Sequence, residues 1–148
     1  MSNRQRLRTF LRHHRGRTSP AWRQQIVDRA RDGARWPNPW QIAKMLGLEV
    51  RLVASPGLKC ATAGSVVYLG EHADSRVLGH RLATAIAQHL LELSSARWSR
   101  DDVYLLAFEL LMPSASVRET DPRELARCQP HAVPALVETW AEYVASSA

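Results

Sequence analysis

Residues 74–93 read Asp74-Ser-Arg-Val-Leu78-Gly-His80-Arg-Leu82-Ala-Thr-Ala85-Ile86-Ala-Gln-His89-Leu90-Leu-Glu92-Leu93. Val77, Leu78, Leu82, Ala85, Ile86, His89, Leu90 and Leu93 recur at intervals of three and four, which is the period of one helix face. The small residues Ala83, Ala85 and Ala87 suit close approach of neighbouring elements. Together these features predict one central, buried helix around which the rest of the chain is arranged.

Working outward, Leu48–Val53 alternates apolar and polar residues as a half-buried strand does, and Pro56-Gly57 turns the chain. Residues 58–63 read as a second short strand, and Ser65-Val-Val-Tyr-Leu69 as a third, rich in β-branched and aromatic side chains. The connections are too short for helical crossovers, so antiparallel pairing is expected where turns are tight. After the central helix, Ser99 should cap a helix carrying Asp101 and Asp102 in its first turn, stopped by Pro113. Asp121-Pro122 starts another helix. A last one, from about Ala132, carries Leu136, Val137, Trp140, Tyr143 and Val144. Upstream, Thr18-Ser19-Pro20 marks the start of a helix running to about Ala34, with Trp22, Ile26, Val27 and Ala30 inward. Trp36-Pro37-Asn38-Pro39 turns into a short helix, Trp40 to Leu46, which Gly47 ends. Asn3 to His14 has the spacing of a short amphipathic helix. The expected class is α+β, mostly helical, with a small three-stranded sheet.

A chain of 148 residues with 45% hydrophobic and 23% charged residues has the makeup of one folded domain. Its net charge of +6 is uneven. Residues 1–37 hold ten arginines against Asp28 and Asp32, whereas the remainder holds eight arginines and two lysines against twelve acids. This divides the chain into a basic arm, 1–37, and a nearly neutral domain, 38–148. Arg4, Arg6, Arg8, Arg12, Arg15 and Arg17 are the candidate contacts to nucleic acid or to an acidic partner. Cys60 and Cys128 form no C-x-x-C pair and read as buried thiols of a reducing compartment. With no apolar run of membrane length and no secretory signal, a cytoplasmic location and no membrane partner are expected. No phosphate-loop or dinucleotide glycine motif occurs. The five tryptophans read mostly as packing anchors.

Arg81 to Leu91, followed by Phe108-Glu-Leu-Leu-Met-Pro113, resembles the ImmA/IrrE family of small metallopeptidases. Trp40 to Val50 is similar to the family's opening helix and first strand, and Leu125 to Val133 to the helix-turn-helix-like tail of many members. The resemblance spans about residues 38–145 and implies a zincin-like fold. In the family the central helix reads H-E-x-x-H. Here His89 matches the second histidine and Asp102 the later acidic ligand, while Ala85 stands at the first histidine and Ile86 at the glutamate. A catalytic zinc takes three protein ligands and keeps a position for water, which the glutamate deprotonates. Ala85 has no donor atom and Ile86 cannot accept a proton.

The resemblance therefore implies a degenerate, binding-only regulator, with no cofactor expected and no catalytic residue. Its partner would be a helix-turn-helix repressor or similar protein, held in the former substrate groove. His89 then reads as a core histidine paired with Asp102, and Asp102 equally as a helix-capping acid. One alternative is a surviving zinc peptidase with a rearranged site, built from His89, Asp102 and His72, with Glu92 also near. Another is a DNA-associated regulator using the arginine-rich arm and the tail helices, although Pro130 and Pro134 interrupt the would-be recognition region.

Overall fold

In the computed structural model, which describes residues 15–147 together with Gln5, Thr9 and His13, the helix starts follow local capping chemistry. Ser19 caps α1 (Pro20–Ala30) by accepting from the Trp22 N–H at 3.1 Å. Asn38 caps α2 (Pro39–Met45) through the Trp40 N–H at 2.9 Å. Asp74 caps α3 (Ser75–Leu93) by accepting from the N–H groups of Arg76 and Val77 at 2.9 and 3.0 Å. In each case a short polar side chain satisfies donors that have no partner inside the helix, and proline occupies the first position of α1 and α2.

Three strands, β2 (Glu49–Val53), β3 (Cys60–Ala63) and β4 (Val66–Gly70), form a sheet in the order β2-β4-β3. β3 and β4 are an antiparallel hairpin closed at Gly64, whose φ of +60° suits glycine. β2, however, runs parallel to β4. The antiparallel expectation thus holds for the hairpin only. The loop 54–59 carries the chain past one strand position, and β4 returns to fill it. The fold is α+β with a mixed sheet. A second, parallel pair joins β1 (Arg15–Arg17) to β5 (Ser95–Arg97), and the sequence pattern gave no hint of it.

α3 is the central element. Leu82, Ile86, Leu90 and Leu91 are fully buried, packed with Val67 and Leu69 of β4, Ile42 and Ala43 of α2, and Leu106 and Leu110 of α4 (Arg100–Leu111). Trp22, Ile26, Val27 and Ala30 of α1 enter the same core. The boundary expected at residue 37 therefore does not divide two cores, because α1 belongs to the body. The helix expected over Asn3–His14 lies outside the described residues apart from Gln5, Thr9 and His13.

The C-terminal third is α5 (Ser114–Arg118), a 3-10 turn at Pro122–Glu124, a one-turn helix α6 (Leu125–Cys128) and α7 (Pro134–Ser146). Residues 129–132 are clamped onto α3 from two directions. Arg76 donates to the carbonyls of Ala126 and Ala132 at 3.2 and 3.0 Å. Gly79 lets the loop approach so closely that an added Cβ would lie 2.5 Å from the His131 carbonyl oxygen and 2.7 Å from its Cβ. Gln129, almost fully buried, ties this loop to the carbonyls of Pro37 and Leu111. No helix of the described residues is long and apolar enough to cross a membrane.

Candidate functional site

Two turns of α3 present Ala85, Gln88, His89 and Glu92 toward the sheet, facing Leu48, Thr62, Gly64 and Val67 across a small depression of about 20 Å³. This depression continues into a groove of about 240 Å³ that runs between β3 and α3. Cys60, Ala61 and Thr62 form one wall and Arg81, Thr84, Ala85 and Gln88 the other, with Arg100 at one end. Thr62, Ala85 and Gln88 line both spaces. All four residues of β3 are exposed, and among the described residues β3 pairs with β4 alone within its sheet, so no described strand covers its outer edge. That edge also corrects the reading of Cys60 as a buried thiol. Cys60 is exposed because it sits on an edge strand, while Cys128 is half-buried.

Ala85 lines the groove, whereas Ile86 is turned wholly into the core. Asp102 sits at the third position of α4 and completes a capping box. It accepts from the Ser99 N–H at 2.8 Å, from the Ser99 hydroxyl at 3.3 Å and from the Thr18 hydroxyl. Burial pushes its carboxyl up, but the hydrogen bonds from Thr18 and Ser99 prevail and hold it below the usual aspartate range. The capping reading of Asp102 is therefore the one its contacts express. His72 is exposed in the loop before α3, and Glu92 accepts from the Gln88 amide at 3.0 Å. His80 packs edge-on against Phe108 with ring centroids 5.3 Å apart, and burial lowers its pKa. Among the described residues no three His, Cys, Asp or Glu side chains converge to hold a metal ion. The described donors do not by themselves make up the three protein ligands of a catalytic zinc.

Among the described residues, the charged side chains that the fold buries lie elsewhere. Glu109 of α4, 2% exposed, accepts from the Ser114 N–H and hydroxyl, each at 2.7 Å, and so fastens the corner at Pro113. Arg23 of α1 is 5% exposed, and the charges of both Arg23 and Arg118 reach Glu109. The sequence does carry a signal for both residues. Arg23 falls on the inward face of α1, three and four residues before Ile26 and Val27, and Glu109 interrupts an apolar run. Of the arm, Arg4, Arg6, Arg8 and Arg12 lie outside the described residues, and for Arg15 and Arg17 only the backbone strand is described.

Burial raises the Glu109 pKa above the usual glutamate value, and this outweighs the hydrogen bonds from Ser114 and the nearby arginines. A carboxyl whose pKa is higher folded than unfolded stabilises the fold fully below its unfolded pKa of about 4.3. That contribution is lost as pH rises through the folded value. Glu109→Gln removes the titration, so the variant's stability relative to the parent is expected to rise from pH 4 toward neutrality in urea melts. A gap that stays constant or narrows would contradict the assignment.

Compared with known proteins, the chain matches no family model, no curated protein and no solved structure.

Proposed function

We propose that this protein is a non-catalytic relative of the zincin-like ImmA/IrrE peptidases that binds an extended segment of a regulatory protein, of the helix-turn-helix repressor kind, in the groove between β3 and α3. The observation that carries this reading is the groove itself, about 240 Å³ beside an open strand edge, with Ala85 at its wall. An open edge can accept a further strand through main-chain hydrogen bonds, with side-chain pockets giving selectivity. Arg81 and Arg100 in the lining favour acidic residues in that segment. Ala85 supplies no ligand and Ile86 no base, which supports capture without cleavage.

Cys60 lies in the groove wall and is exposed, so it can carry a photo-crosslinker in a Cys128→Ser background. Irradiation in the native host should give a discrete adduct, with the partner identified by mass spectrometry. Thr84→Trp, which fills the groove, should abolish the adduct, while a metal chelator should leave it unchanged. An adduct that survives Thr84→Trp, or one that chelation removes, would sink the proposal.

A further inference from the structure

A second cleft, of about 90 Å³, lies between α1, the Pro113 corner and α7, and it shares no lining residue with the β3 groove. Arg23, Glu109, Ser114, Arg118, Trp140 and Tyr143 contribute to its walls. Its distinctive member is Arg23. A guanidinium carries five N–H donors, and a buried one is normally paired. Arg23 is 5% exposed, yet among the described residues its guanidinium makes no hydrogen bond and no ion pair. Arg23 lines the cleft, and its nitrogens are not among the side-chain atoms sealed from solvent without a partner.

The obvious internal acceptor is already engaged. The Glu109 carboxylate takes the Ser114 N–H and hydroxyl at 2.7 Å, and Arg23 reaches it only through its field. The lining itself holds two arginines against one carboxylate, and the only other acid that the Arg23 charge is seen to reach among the described residues is Asp102, outside the lining. The opposite wall is aromatic, with Trp140 and Tyr143 stacked at 5.2 Å between centroids, and can cover a small carbon skeleton.

We propose that this cleft is a binding site for a small oxyanion, a carboxylate or a phosphate monoester, held by Arg23 with Arg118 closing over it. The guanidinium fork matches two oxygens of either group. A space of about 90 Å³ limits the ligand to a headgroup and a few further atoms. The site does not depend on the groove reading, and either can fail alone.

Isothermal titration and thermal melting with sodium phosphate and, separately, sodium acetate, at ionic strength held constant with sodium chloride, test the proposal. At least one anion should bind saturably and raise the melting temperature. A response to phosphate alone marks a phosphate ester as the natural ligand, and a response to acetate alone marks a carboxylate. Arg23→Met should abolish binding and Arg118→Gln, on an exposed side chain, should weaken it at least tenfold. Arg97→Gln, on the exposed face of β5, should bind as the parent does. Without ligand, Arg23→Met should melt no lower than the parent, since it removes an unpaired buried charge. The proposal is overturned if neither anion binds saturably, if binding survives Arg23→Met, or if Arg23→Met melts below the parent in ligand-free buffer, which would mark Arg23 as a structural counterion to Glu109.

Discussion

Ile86→Glu is expected to lose on the order of 4 kcal/mol or more of stability at neutral pH, enough to leave many single domains largely unfolded. Ile86 is completely buried on the core side of α3, among Leu82, Leu90 and the residues of β4 and α4. The substitution removes apolar burial and places a carboxyl where no donor awaits it. Burial would raise that carboxyl's pKa, so the loss should be greatest at neutral pH and shrink as pH falls toward about 4.3, the unfolded value. Urea melts across this range read both the size and the slope. A loss under about 1 kcal/mol, the usual scale of a surface substitution, would show that position 86 faces water, as a general base must.

Trp140→Ala is expected to cost about 3–5 kcal/mol, the range for removing a buried aromatic residue. Trp140 is 3% exposed and donates its indole N–H to the Met112 carbonyl at 2.8 Å. It stacks on Phe108 at 5.3 Å and on Tyr143 at 5.2 Å, joining α7 to α4. Trp140→Phe keeps an aromatic ring but leaves the buried carbonyl without its donor, so a smaller loss of about 1–3 kcal/mol is expected. Equal losses from the two variants would assign the effect to the hydrogen bond and not to ring packing. Chemical denaturation of both variants beside the parent decides this.

What the sequence disclosed follows from how local each determinant is. The caps at Ser19 and Ser99 act within three residues, and their helices begin at Pro20 and Arg100, where those residues predict. The strand order was not disclosed, because it depends on which strand packs against α3. β4, with Val67 and Leu69 buried, is the most apolar of the three and takes the middle, whereas Leu52 of β2 is 51% exposed. β1 and β5 read Arg-Gly-Arg and Ser-Ala-Arg, with no alternation to announce a strand. Ala85 and Ile86 were conspicuous only through the resemblance to an H-E-x-x-H helix, from which they depart. Gln129 passed unnoticed because only the folded chain shows what surrounds it, whereas Arg23 shared the inward face of α1 with Ile26 and Val27 and was hidden by the general rule that arginines face water.

The first folded segment is seated largely by the last ones. Arg15 pairs with Ser95, Thr18 bonds Asp102, the Arg35 carbonyl accepts from Ser116 and the Pro37 carbonyl from Gln129, over separations of up to 92 residues. During synthesis, then, α1 leaves the ribosome long before its docking surface exists, with Trp22, Ile26 and Val27 still in water. Closing such long loops is entropically costly and slow, and the waiting apolar face is a target for chaperones or for aggregation. Yield from cells should therefore depend on how the nascent chain is sheltered as well as on the stability of the finished fold.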